Sequence, residues 1–299
     1  MRSGKATREA FEAFGEEADR YDRNYSFGTD RYPDHVYRLR IFEDLLQSIQ
    51  PTTVLDAGCG SGVPLSTFLN AGFNAFGFDR SPEMVAVSQR RLQKDGHDSS
   101  RAFLGDLDSF ERPIPEQFDA IVGLGSVYYT PNTLNTIKSL AGHLRPGGTL
   151  IVSLRNQLFS LCSLNEYSAE YLLREIFPSQ QLAGSLQEEV HKYFSKRFPK
   201  LNVEKLFENV DDRNIRSHLH NPLTVAEELL EPSGFSLQRV YYYHFHALPP
   251  VFEHLHQRDF YELSSQREVP TDWRGIVTAS CFVVHATKHT AAERARVTS

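Results

Sequence analysis

An α/β fold is predicted for this chain of 299 residues: a doubly wound, mostly parallel sheet of seven strands with helices on both faces and a helical insertion after the fifth strand. Three observations predict it. The run Val54-Leu55-Asp56-Ala57-Gly58-Cys59-Gly60-Ser61-Gly62 is a short apolar strand that breaks into a glycine-rich turn. From Thr53 to Leu154 apolar strand-like runs alternate with helical periodicity, which calls for parallel strands joined by right-handed crossovers. From Arg155 to Arg216 that alternation stops, and it resumes before the chain ends.

Taken in order, Thr7 to Asp22 reads as a helix with Phe11, Phe14, Ala18 and Tyr21 on one face. A turn-rich aromatic segment (Tyr25, Phe27, Gly28, Tyr32, Pro33) leads to a second amphipathic helix, Val36 to Ile49, stopped before Pro51. Strands are expected at Thr53–Asp56, Asn74–Phe78, Ala102–Leu104, Phe118–Gly123 and Thr149–Leu154, with helices at Val63–Ala71, Pro82–Lys94 and Asn132–Leu144. Asp108 to Gln117 holds two prolines and reads as a loop. The insertion offers helices at Ala169–Ile176, Gln187–Phe198 and Val203–Asn209. Sheet logic returns with a helix at Val225–Leu230 and strands at Ser236–Tyr243 and Ile276–His285. The expected segments are a lid at 1–50, a core at 51–154, a cap at 155–220, the rest of the sheet at 221–288 and a frayed tail at 289–299.

Composition narrows the class. Hydrophobic residues at 40% and charged residues at 23% describe an ordinary globular chain. A net charge of −6 argues against a broad basic surface for nucleic acid. Cys59, Cys162 and Cys281 are odd in number and far apart, so they form neither a disulfide framework nor a metal quartet, which suits a reducing cytoplasm. Met1 to Asp22 is charged throughout, without the apolar centre of a signal peptide, and no stretch approaches the roughly 20 apolar residues that span a bilayer. A soluble cytoplasmic protein without a membrane partner is expected.

The turn after the first strand carries the chemistry. Glycines accept φ > 0 and let a ligand approach the backbone, and the helix that follows points its N-terminal amides at that ligand. Strand, glycine turn and helix open a nucleotide-binding βαβ unit. The glycines run G-x-G-x-G, with Val63 where a dinucleotide fingerprint wants Gly or Ala, and Asp56 lies two residues before the first. The second strand ends in Asp79, 21 residues after Gly58, the spacing at which an acid takes both hydroxyls of a ribose. Asp79 also reads as an N-cap for the helix at Pro82, although Ser81 is better placed. The third strand runs into Gly105-Asp106-Leu107, where an acid accepts an adenine amino group or is simply a solvated loop residue.

In series these features resemble class I S-adenosylmethionine (SAM)-dependent methyltransferases, closely from Thr53 to about Leu154, including the turn and fifth strand Leu144-Arg145-Pro146-Gly147-Gly148-Thr149-Leu150. The resemblance implies an antiparallel last strand and SAM as cofactor. It assigns Asp56, Gly58 and Gly60, with Cys59 between them, to the methionine part. It places Asp79 at the ribose with Arg80 beside it, Met84 beside the adenine, Asp106 and Leu107 at the adenine edge, and Leu124 at the end of the fourth strand.

The acceptor is less legible. Base methyltransferases of this family resemble one another in an Asn/Asp-Pro-Pro-aromatic motif after the fourth strand, where this chain has Gly123-Leu124-Gly125-Ser126-Val127-Tyr128-Tyr129. With the acidic balance, that excludes nucleic acid as the expected partner. Tyr128 and Tyr129 suit a sulfonium or an acceptor, because an aromatic face attracts a cation, and equally suit the core. Arg155 and Asn156, ending the fifth strand, suit an acidic or polyhydroxy acceptor, with Arg155 as a bridge to the cap the alternative. His244 and His246 share a face and His254 and His256 repeat the spacing, but no Asp, Glu or Cys joins them at ligand spacing, so no metal is expected. They are packing or surface residues, or His246 is a general base fixed by Pro249 and Pro250 with His244 towards the acceptor. The expectation is an enzyme, monomeric or homodimeric, that methylates a small molecule, foremost a hydroxyl of a sugar or secondary metabolite. Methylation of an amine or carboxylate, or a SAM-binding subunit without catalysis, are the alternatives.

Overall fold

The computed structural model describes residues 32–109, 117–177, 184–198, 217–253, 257–290 and 292–293. The expected helices Thr7–Asp22 and Val203–Asn209, the segment around Tyr25 and Phe27, His254 and His256, and most of the tail lie outside the described residues. The chain divides into two compact units. Unit one comprises Met1–Arg155, Asn214–Tyr241 and Phe282–Ser299, and unit two Asn156–Arg213 and Tyr242–Cys281.

The strands are β1 (Thr53–Ala57), β2 (Asn74–Asp79), β3 (Ala102–Leu104), β4 (Phe118–Gly123), β5 (Leu144–Asn156), β6 (Leu219–His220), β7 (Phe235–Phe245) and β8 (Ala279–Lys288). Their order is β3-β2-β1-β4-β5-β8-β7, with the two-residue β6 paired to β5. The first five are parallel, with Leu55 facing Phe76 on one side and Ile121 on the other, and Ile121 facing Leu150. The C-terminal strands enter antiparallel. The seven expected strands are therefore present, and β6 is an addition. Val54, Leu55, Ile121, Val122, Leu150 and Ile151 are wholly buried, as central parallel strands covered on both faces require.

Among the described residues the α-helices of unit one are α1 (Asp34–Ile49), α2 (Val63–Asn70), α3 (Pro82–Lys94) and α4 (Thr133–Gly142), with a π turn at Ala226–Leu230. Ser81, not Asp79, caps α3, its hydroxyl accepting from Met84 N at 3.2 Å ahead of Pro82. Asn132 caps α4 through Asn135 N at 3.0 Å. α1 ends at Gln50, which takes the left-handed conformation before Pro51. Buried Lys288 on β8 donates to the carbonyls of Ala141 and Leu144, satisfying the end of α4.

Unit two holds the short helices α5 (Ser160–Ser163) and α6 (Glu166–Tyr171), a π turn at Leu172–Ile176, α7 (Gly184–Arg197), α8 (Gln257–Ser265) and α9 (Gly275–Thr278). Sequence periodicity placed the last strand at Ile276; the chain instead makes the helical turn α9 and begins β8 at Ala279. Asn156 explains the difference. Its side-chain amide donates to the carbonyls of Gly275 (3.3 Å), Ile276 (2.9 Å) and Ala279 (2.8 Å), bending a β-branched run into a turn. Residues 242–281 fall in the same unit as residues 156–213. Among the described residues no helix is long and apolar enough to cross a membrane.

Candidate functional site

In unit one the glycine turn sits at the carboxyl end of β1, tied to β2 by the amides of Gly58 and Cys59, which share Phe78 O at 2.9 Å each. Gly58, Gly60 and Gly62 all have positive φ. Two of the three also answer to packing within the protein. A Cβ at Gly58 would collide with Ser126, and one at Gly62 with Ser88. Leu107 packs 3.8 Å from the same Gly58 position. Cys59 is buried against Gly77 on β2, with its thiol pushed well up by burial and then by Asp56 and Asp79, so it acts as a packing residue.

Asp79 accepts from Gly60 N and Ser81 N, one on each carboxylate oxygen, at 2.9 Å. Burial raises its pKa, opposed by the amides of Ser81, Gly60 and Arg80. Each oxygen retains a lone pair, so two hydroxyls of a ribose fit the remaining valences. Asp106 pairs with Arg80 Nε at 3.4 Å and accepts Asp108 N at 3.1 Å, so two predicted cofactor residues, Arg80 and Asp106, meet each other. Met84, Leu107 and Leu124 are buried and apolar around the same strand ends.

Asp56 is the exceptional group. It is wholly buried, and neither carboxylate oxygen has a hydrogen-bond partner among the described residues. Burial, and then the nearby charge of Asp79, push its pKa up to about 8, with Arg38 pulling the other way. A buried carboxyl of this kind can accept from a hydrogen-bond donor or pair with a cation. Sequence reasoning missed Arg38, which is only 2% exposed. It lies on the α1 face that buries Ile41, Phe42, Leu45 and Leu46. An arginine in register with an apolar stripe was the available signal, since charged side chains are almost never fully buried unless paired.

Past β4, Tyr128 is buried and Tyr129 half-buried, their rings 4.4 Å apart, and Arg155 Cζ lies 5.3 Å from the Tyr128 ring centroid. Arg155 thus caps an aromatic face within unit one. Tyr128 O accepts His218 N at 2.8 Å.

Unit two contains the other three predicted residues. Asn156 is buried with its amide spent on main-chain carbonyls and its oxygen on Leu158 N at 3.0 Å, which makes it a fold-holding side chain rather than an acceptor ligand. His246 follows β7, its amide bonded to Thr278 O at 2.9 Å. Its ring centroid stands 4.6 Å from Phe159, 4.8 Å from His244 and 5.6 Å from Phe260. His244 has φ of 60°, a left-handed backbone that non-glycine residues seldom adopt. Among the described residues no group of three or more His, Cys, Asp or Glu is arranged to hold a metal.

Comparison with known proteins locates this geometry. Residues 55–150 match the family model described as a methyltransferase domain. The ubiquinone biosynthesis O-methyltransferase of Xanthomonas campestris pv. campestris (strain B100) is 30% identical over 122 residues, covering 40% of this chain and 50% of the relative. That of Actinobacillus pleuropneumoniae serotype 7 is 29% identical over 160 residues, 52% of this chain and 67% of the relative. The chain spans about half the length of the first of these relatives. Magnesium protoporphyrin IX methyltransferase from Synechocystis PCC 6803 with bound SAM superposes with a TM-score of 0.53 at 16% identity, covering 95% of this chain and 97% of that one. A possible histamine N-methyltransferase from Thermotoga maritima gives 0.51 at 17% identity, covering 93% and 99%. At these identities the two structures show a shared fold.

Proposed function

We propose that the chain, whose residues 55–150 match a methyltransferase-domain model, is a class I, SAM-dependent enzyme that moves a methyl group from SAM to a small molecule, foremost to a hydroxyl. The observation that carries this reading is Asp56, buried just before the glycine turn and near Arg38, with no hydrogen-bond partner on either carboxylate oxygen among the described residues. An amino acid end carries one ammonium and one carboxylate, and an Asp–Arg pair complements both. Asp79 takes the ribose hydroxyls, and Asp106, steadied by Arg80, accepts the adenine amino group between Met84 and Leu107.

When bound, SAM supplies a methyl on a positively charged sulfur, which is electrophilic without further activation. The chain's own work is therefore orientation, exclusion of water and removal of the acceptor's proton. Tyr128 and Tyr129 offer aromatic faces to positive charge, and Arg155 over Tyr128 sets the ring's position. For a hydroxyl acceptor the proton goes to an imidazole, the role read for His246 with His244 towards the acceptor. Oxygen is favoured as acceptor by the names of the curated relatives. The test is calorimetry with SAM and S-adenosylhomocysteine, followed by an acceptor screen read by release of S-adenosylhomocysteine. Binding of NAD without SAM ends the reading; SAM binding without turnover on any acceptor favours a non-catalytic subunit.

A further inference from the structure

β4 stops at Gly123, opposite Val152, whereas β5 runs on to Asn156. β6 pairs with β5, and the amide just before β6, His218 N, bonds to the carbonyl of Tyr128 in the turn that leaves β4. The short strand thus stands where β4 departs, at the carboxyl end of the sheet, the end at which open α/β sheets bind ligands. His220 is locked there: its Nε2 lies 3.2 Å from Thr133 Oγ1. Burial, with the neighbouring His218 second, lowers its pKa to about 4, so it is neutral in ordinary buffers. His218 is different. Its backbone is fixed by the Tyr128 bond while its side chain is exposed. Its main chain is thus tied to the turn after β4 while its ring is open to solvent at the ligand end of the sheet.

We propose that His218 is the acceptor-contacting imidazole of unit one, orienting the acceptor's polar group beside the turn that carries Tyr128. This rests on the glycine turn being the cofactor site. It adds to the sequence reading, in which the histidines after β7 were the candidates.

The test uses a reactive cofactor mimic, adenosine with an aziridine at its 5′ carbon, so that an electrophilic carbon sits where the transferable methyl would. A neighbouring imidazole nitrogen attacks a ring carbon of the protonated aziridine. The ring C–N bond breaks with its electron pair passing to the aziridine nitrogen, and the alkylated imidazolium gives its proton to water. The full-length protein is treated with this probe, digested, and the modified residue mapped by mass spectrometry. We expect an adduct on His218 that disappears in His218→Asn and is suppressed by excess S-adenosylhomocysteine. Measuring S-adenosylhomocysteine affinity in the same variant shows that it is folded. An adduct confined to His246 or to a tyrosine, or no adduct although the probe competes with S-adenosylhomocysteine, overturns the proposal. If neither the probe nor S-adenosylhomocysteine binds wild-type protein, the cofactor reading itself fails and takes this one with it.

Discussion

Arg38 occupies the space that a side chain at position 125 would need: a Cβ built on Gly125, whose φ is +80°, would collide with the arginine's Nη1. A glycine after β4 and an arginine on α1 are thereby matched, and the match holds a buried cation near the carboxyl of Asp56.

That match makes Arg38 a target. Arg38→Met keeps the volume and apolar stem while removing the charge. The fold should survive, and S-adenosylhomocysteine should bind roughly 10–100-fold more weakly, the worth of a hydrogen bond to a charged group at about 1.5–3 kcal/mol. Calorimetry alongside a thermal melt reads both. A variant that binds normally removes Arg38 from the site.

Asp79→Ala should weaken SAM and S-adenosylhomocysteine alike, again by roughly 10–100-fold. The substitution also orphans the amides of Gly60 and Ser81, so a lower melting temperature should accompany the loss. Asp79→Asn keeps an acceptor oxygen for one of those two amides, so its melting temperature should fall less than that of Asp79→Ala. Equal binding by both variants and the wild type would mean that the acid serves the turn alone.

Asp56 makes stability and affinity depend on pH in opposite senses. Its folded pKa is about 8, against about 3.9 when unfolded. Between those values the folded protein holds a proton that the unfolded chain has released, so this group's contribution to stability falls as pH rises from about 4 to 8. A cationic ligand group favours the ionised carboxylate, so cofactor affinity should climb over the upper part of that range. Denaturant melts and calorimetry from pH 5 to 9, with Asp56→Asn as reference, check both slopes. A wild type whose slopes match the variant's would show that Asp56 does not titrate in this window.

His246→Ala should lower kcat by about 10²–10⁴-fold if the acceptor is a hydroxyl, with SAM affinity unchanged. Turnover by the wild type should rise with pH through an imidazole titration. Near-normal turnover in the variant would leave His246 as one ring of the Phe159–His244–Phe260 cluster.

The parallel core was legible because its signals are local. Alternation of β1 to β5 with helices, and the glycine spacing after β1, need only neighbouring residues to be read. The end of β2 at Asp79 and the cap at Ser81 followed from the same local rules. What escaped depends on partners remote in sequence. α9 replaces the start of a strand because Asn156 reaches residues 275–279, and no property of Ile276-Val277-Thr278 announces that. α8 and β6 were missed too. The first lies in a stretch with no clear stop or start, and the second is two residues long, held by its pairing to β5 and by the Tyr128–His218 bond. The roles of Gly58 and Gly62 were read as room for a ligand, yet Ser126 and Ser88 already press on them. Arg38 escaped because α1 was read for its apolar residues alone.

Asn156 imposes an order in time. Its amide is satisfied only by carbonyls 119 to 123 residues further along the chain. A ribosome adds about 5–20 residues per second, so the side chain waits on the order of ten seconds before its partners exist. Throughout that interval β1 to β5 can pair, since every one of them precedes or includes Asn156, while the Asn156 bonds that close unit two cannot form. Synthesis therefore produces a formed nucleotide-type sheet first and a completed second unit last. Chaperone binding or proteolysis during translation should concentrate on the stretch that follows Asn156.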